Sequence, residues 1–223
     1  MGCGSGESGG SNPVSPSPAV SSALHDALVA NGSSILTGTG AVGNQSAYSA
    51  PFDDFIVATS TSIRTVEWQG FYCNTAFTGN EIPEPVATSF IIRLAPNEAD
   101  WQRPSFDAMR APETTGTSQV TAVPVSAVRQ RFEFTRMDAP CGARNGGDPA
   151  AYYRFSTDLP NPYAVTAGER YWIAIHAVMP AVRVSWNWRF GMQDNTYSIY
   201  WLNSSAASGT LTTFFADRAF ALR

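Results

Sequence analysis

Side chains able to do chemistry are few and scattered in this chain. The only histidines are His25 and His176, and with Cys3, Cys73 and Cys141 they form no Cys/His group at zinc spacing. A Ser-His-Asp triad would have to use one of those two histidines, and each reads more simply as structural. Glu67, Glu133 and Glu169 could supply the paired carboxylates of a glycoside hydrolase, yet nothing in the sequence brings any two of them together. Gly6-Glu7-Ser8-Gly9-Gly10 matches the G-x-S-x-G nucleophile elbow without the strand and helix that elbow needs. Gly38-Thr39-Gly40-Ala41-Val42-Gly43 matches a dinucleotide fingerprint without the helix that would hold the pyrophosphate. Aromatic residues carry the stronger signal. Trp186, Trp188 and Phe190 recur at period two, with Asn187 and Arg189 between them. Such a stripe is either core packing or a flat platform for sugar rings, edged by hydrogen-bonding groups. Trp101, in a polar Pro-containing loop, is the best candidate for an exposed aromatic. The proposed ligand-binding set is therefore Trp101, Trp186, Trp188, Asn187 and Arg189. All 14 basic residues are arginine, whose planar fork suits carboxylate or sugar recognition, although codon bias in a GC-rich bacterial genome would give the same composition.

The first segment must act as a tether. Residues 2–22 are almost entirely Gly, Ser and Pro, a composition that buries no core and behaves as a flexible-to-extended linker. Cys3 stands between Gly2 and Gly4 at its head. That arrangement resembles the mature start of a bacterial lipoprotein, with Cys3 carrying the diacylglycerol; a chance cysteine in a linker is the alternative. If Cys3 is lipidated, Cys73 and Cys141 remain as a pair, and an oxidising compartment would bridge them. The closed loop of about 69 residues would contribute roughly 4 kcal/mol by loop-closure entropy; two free buried thiols are the other reading. The expected organisation is a tether over 1–22 and one domain over 23–223.

One short helical pattern is predicted over 21–30, stopped by Asn31-Gly32. After it, strand signals recur between clusters of Pro, Gly, Asn and Asp. In 62–73, Ile63, Trp68 and Phe71 alternate with polar residues, and Gly70 suggests a bulge. In 130–136, Phe132 and Phe134 occupy one face, with Arg131 and Glu133 on the other. In 170–178, Tyr171, Ile173 and Ile175 oppose Trp172, Ala174 and His176. About ten strands with at most one short N-terminal helix predict an all-β, antiparallel, jelly-roll-like sandwich. The strands near 50–57 and 214–222 are expected to pair in one sheet.

Five segments in order then carry a resemblance: Phe52-Asp53-Asp54-Phe55-Ile56-Val57; the run from Ser62 to Tyr72 with its Val66, Trp68 and Gly70; Ser89-Phe90-Ile91-Ile92-Arg93-Leu94; Ala167-Gly168-Glu169-Arg170-Tyr171-Trp172-Ile173; and Asp217-Arg218-Ala219-Phe220-Ala221-Leu222. Together they resemble the secreted jelly-roll β-sandwich modules of bacterial extracellular and surface-anchored proteins, over roughly residues 35–223. The resemblance implies an extracellular or outer-surface location and a non-catalytic or undefined role. It supplies no catalytic residues. Jelly-roll modules often hold a structural Ca²⁺, and pairing of the first and last strands would gather Asp53, Asp54 and Asp217 as its ligands; solvated or strand-capping aspartates are the plainer alternative. No other cofactor is expected.

Composition narrows the function further. With 223 residues, 43% hydrophobic and 14% charged, the chain has ample apolar surface for a core. A net charge of −4 offers phosphates no basic field, so nucleic acid is not an expected partner. No stretch is apolar enough to span a bilayer, which leaves the lipid on Cys3 as the only expected membrane contact. The leading expectation is a non-catalytic binding module for glycan. The second is a surface or appendage subunit assembling with other chains, copies of itself included, and the third is an extracellular hydrolase.

Overall fold

Period-two alternation sets this architecture, because each strand must turn one row of side chains inward. The computed structural model describes residues 25–26, 35–37, 48–74, 87–99, 103–104, 118–136, 150–178, 184–189, 198–205, 208–214 and 218–223. These form β1 (His25–Asp26), β2 (Ile35–Thr37), β3 (Tyr48–Ile56), β4 (Thr61–Asn74), β5 (Ser89–Pro96), β6 (Gln119–Pro124), β7 (Arg129–Arg136), β8 (Ala150–Val165), β9 (Arg170–Val178), β10 (Val184–Trp188), β11 (Ser198–Ser205), β12 (Ser208–Phe214) and β13 (Phe220–Leu222). A single 3₁₀ turn, Val125–Ala127, joins β6 to β7, and no α-helix occurs among the described residues.

The strands make two antiparallel sheets packed face to face. Sheet A is centred on β4. One flank of β4 carries β8 and then β7; the other carries β13 and β10 end to end, flanked in turn by β1 and β2. Sheet B runs β12-β11-β3-β9-β5-β6. Between the sheets, Ile63, Val66, Trp68, Phe155, Trp186 and Phe220 meet Phe55, Phe90, Ile92, Leu94, Ile173 and Ile175 in one buried cluster. Its centre is aromatic. Trp68 stacks on Phe155 at 5.4 Å and meets Phe90 edge-on at 5.1 Å, and Phe90 meets Trp186 edge-on at 5.5 Å. Each such pair adds about 0.5–1.5 kcal/mol beyond its area burial.

Several expectations are corrected. His25 and Asp26 lie in a strand paired with Leu222 and Ala221, so the helix predicted over 21–30 does not hold there. A mate on the sheet edge overrides weak helical periodicity. The strands at the two ends do not pair: β3 lies in sheet B between β9 and β11, and β13 lies in sheet A against β4. Gly70 is not a bulge. It pairs in register with both Tyr153 and Trp188, and the irregularity in β4 falls between Ile63 and Thr65. With no slip at Gly70, alternation from Trp68 carries Tyr72 into the core cluster and leaves Phe71 on the outer face beside Tyr152. What Gly70 provides is space, since a Cβ there would lie 2.6 Å from the Trp186 ring. Strand β8 spans residues 150–165 with one excursion. Ile63 pairs with Tyr163 and Thr65 with Asp158, so Leu159-Pro160-Asn161-Pro162 loops out between them. Two prolines that cannot donate to a ladder explain the excursion. The β8–β9 turn places Gly168 at φ +76°, the left-handed value that favours glycine.

Candidate functional site

The outer face of sheet A gathers the polar side chains that alternate with the core. Thr65, Glu67 and Gln69 of β4, Arg154, Ser156 and Asp158 of β8, and Arg129 and Arg131 of β7 share it by register. Asn187 and Arg189 continue it alongside β4: Asn187 pairs with Phe71, and the Arg189 backbone N–H donates to the Gln69 carbonyl at 3.0 Å. The β7–β8 bulge between Phe132 and Phe134 completes the face. It sets Phe132 opposite Tyr153 and Phe134 opposite Tyr152, so the two phenylalanines do not share a face as expected, and it carries Glu133 round to Arg154.

Hydrogen bonds weld these residues into a lattice. Arg154 Nε donates to Glu133 Oε1 at 3.0 Å, and Gln69 Nε2 donates to Glu133 Oε2 at 3.0 Å. The Arg189 guanidinium lies 4.7 Å from the centre of the Tyr152 ring, a cation–π arrangement, and Tyr152 also packs on Phe71 at 4.8 Å. Nearer solvent, Arg129 holds Asp158 through both carboxylate oxygens, and the Thr65 hydroxyl donates to the same carboxylate at 2.8 Å. The Arg129 and Thr65 hydrogen bonds hold the Asp158 carboxyl below its usual range. Arg223 pairs with Glu67 at 2.7 Å. Gln69, Asn187 and Arg189 are buried, whereas Arg129, Arg131 and Asp158 are exposed. The face therefore grades from a rigid polar floor to an open charged rim.

Two of the predicted binding residues, Asn187 and Arg189, belong to this face. Trp186 and Trp188 do not. Both are completely buried between the sheets, and the Trp188 indole N–H donates to the Ala219 carbonyl at 3.1 Å, so neither ring can stack on a ligand arriving from solvent. Both rings are core, as inward alternation in a sandwich requires, and Phe190 lies outside the described residues. Trp101 lies outside the described residues, as do Asp217, Cys3 and Cys141. Cys73 is on β4 opposite Ser185. Asp53 and Asp54 are neighbours on β3 and so project to opposite faces of sheet B. Asp53 accepts a hydrogen bond from the Arg218 backbone N–H, tying β3 across the sandwich to the segment that enters β13. Asp54 pairs with Arg170. Among the described residues no three His, Cys, Asp or Glu side chains converge on a point where a metal could sit.

The outer face of sheet B is different in kind. Trp172, Ala174 and His176 of β9 are all buried there, and the Trp172 indole N–H donates to Asn97 at 2.9 Å. Burial, helped by the nearby Arg93 charge, pushes the His176 imidazole down to about 3, which keeps it neutral at physiological pH. Of the candidate hydrolytic carboxylates, Glu67 and Glu133 share the outer face of sheet A, each paired with an arginine, while Glu169 sits in the β8–β9 turn and accepts from the Tyr171 hydroxyl at 3.0 Å.

Residues 40–216 match a protein family described as a domain of unknown function, DUF7901. The chain belongs to that family. The matched stretch contains β3 to β12, so the DUF7901 region supplies all of sheet B together with β4, β7, β8 and β10 of sheet A. Strand β13 and Arg218, which close sheet A and hold Asp53, lie just beyond it. No curated protein and no solved structure matches the chain.

Arg131 and Glu133 were legible as one face of β7, but Gln69, Arg154 and Asp158 were not singled out as site residues. Their signal was the polar alternation within 62–73 and 151–157, which reads equally well as ordinary solvated surface.

Proposed function

We propose that this DUF7901 protein is a non-catalytic binding module for glycan, displayed at the cell surface or outside the cell by the tether and a lipid on Cys3, with the outer face of β7, β8, β4 and β10 as its binding surface. The observation that carries this reading is the Arg154–Glu133–Gln69 network, in which planar hydrogen-bonding groups are fixed on strands beside an open rim. Sugars are recognised by planar polar side chains held rigid before the ligand arrives, because little side-chain entropy is then lost on binding. Kinship with jelly-roll modules and a Cys73–Cys141 bridge belong to the same extracellular reading.

The test is a polysaccharide array probed with the full chain, alongside Glu133→Ala, which removes the hub of the network, and Trp101→Ala. Retention of the wild type by a defined polysaccharide, lost in Glu133→Ala while the variant keeps its circular-dichroism spectrum, is the expected result. Failure of the wild type to bind any polysaccharide would overturn the proposal.

A second reading, assembly with other chains, draws support from β7. Among the described residues this strand pairs only with β8, and Phe132 on it is 53% exposed. An unpaired strand edge is a template for a strand from another chain. Concentration-dependent sedimentation of the wild type, abolished by Phe132→Asp, would favour this reading over a monomeric module.

A further inference from the structure

We propose that the ligand of this face is an acidic glycan, and that the guanidinium groups of Arg131 and Arg154 form its carboxylate-binding site. This rests on the glycan reading above and narrows it to a substrate class. Arg131 of β7 and Arg154 of β8 are directly opposite each other in the antiparallel register, and both lie on the outer face. Directly opposed residues have Cβ atoms about 5 Å apart, and like charges placed so are destabilising. Edge protection explains a charge on β7. It does not explain two arginines set face to face.

The neighbouring carboxylates neutralise the pair only in part: Glu133 pairs with Arg154, and one of the two charges is left over. Glu133 gives one oxygen to Arg154 Nε and the other to Gln69, so both its oxygens are engaged. Asp158 is held by Arg129 and Thr65. Among the described residues Arg131 makes no ion pair, and Arg154 makes its ion pair with Glu133 through Nε. Among its described side chains the whole face has five arginines against three carboxylates, in a chain whose net charge is −4. A uronate carboxylate seated between the two forks would remove the like-charge cost and accept paired N–H bonds in the geometry arginine favours. Lysine, a point charge, would not reproduce that geometry.

The experiment is affinity electrophoresis of the full chain through gels containing polygalacturonate, neutral galactan or poly-glutamate, at low and at physiological salt. Polygalacturonate alone is expected to retard the wild type. Arg131→Gln and Arg154→Gln should each weaken retention about tenfold, as loss of a charge-assisted hydrogen bond does, and Arg103→Gln, at a residue that pairs with Glu98 just past β5 of sheet B, should leave it unchanged. Equal retention by galactan, insensitive to both arginine variants, would overturn this inference and leave the glycan reading standing. Equal retention by poly-glutamate, or undiminished retention of the double lysine variant Arg131→Lys/Arg154→Lys, would reduce the site to unspecific charge attraction and overturn it. No retention by either polysaccharide would overturn this inference, while the glycan reading falls only if the whole array is also empty. Arg131 is exposed and Arg154 half-buried, and the melting temperatures of both glutamine variants verify that the fold is kept.

Discussion

Replacing Gly70 by alanine adds one methyl group at the most crowded contact in the sandwich. The new Cβ would lie 2.6–2.7 Å from three atoms of the Trp186 indole. Carbon atoms at rest against each other sit about 3.5–4.0 Å apart. The ring would therefore have to move by about 1 Å. It has nowhere to go: Trp186 is fully buried and is met edge-on by Phe90 and Phe155. Overpacking of this kind costs about 1–3 kcal/mol. Alanine opposes that cost, because it restricts the unfolded chain and suits a strand better than glycine, a gain of about 0.5–1 kcal/mol. The net destabilisation expected is about 1–2 kcal/mol, or a fall in Tm of about 2–8 °C for a domain of this size. Urea denaturation followed by tryptophan fluorescence measures it. Combining Gly70→Ala with Trp186→Phe, which trims the ring, should cost less than the sum of the two single changes. A neutral or stabilising Gly70→Ala, or strict additivity in the double variant, would refute the claim that the indole occupies the space above Gly70.

Three further outcomes follow from the same structure. Asp53→Ala removes the carboxylate that receives the Arg218 backbone N–H across the sandwich, and should cost about 2–3 kcal/mol in chemical denaturation, since a buried donor loses its charged partner. His176 is depressed to about 3 in the folded protein and titrates near 6.5 when unfolded, so the unfolded state takes up a proton that the native state refuses. Stability should accordingly fall as pH drops from about 6.5 towards 3, and His176→Gln should lose about 2 kcal/mol less than the wild type between pH 7 and pH 5 in paired urea titrations. Asp158→Asn breaks a rim pair whose side chains are 60% and 64% exposed, and its melting temperature should match the wild type's within about 0.5 kcal/mol of stability, with any difference vanishing in high salt.

Much of the fold could be read from alternation, because a side chain's direction on a strand depends only on parity. The inward rows of β4, β5 and β9 follow that rule, and β9, apolar on both parities, is buried on both faces. What parity cannot show is where the count slips. The irregularities at Ile63/Thr65 and Phe132/Phe134 exchange faces for every residue beyond them, and the slip expected at Gly70 does not occur, so Phe71 falls outward. Pairing partners were equally hidden: β13 sits against β4 and not β3 because the Phe220 and Leu222 side chains fill the inner face beside Trp68 and Val66. The candidate site was legible only in part for a related reason. Asn187 and Arg189 were singled out for their neighbours Trp186 and Trp188, yet those rings turn inward, and the partners that Gln69, Glu133 and Arg154 find in one another come from strands far apart in sequence.

The placement of β13 also imposes an order on assembly. Val66 and Trp68 of β4 find their neighbours on that flank only in Leu222 and Phe220, about 150 positions later in the chain. During synthesis the middle of the longest ladder must wait, one margin of β4 bare and able to bind a stray strand, until the ribosome has delivered those residues. Such distant closure makes for slow folding, because the entropy of a loop that long must be lost before the contact rewards it.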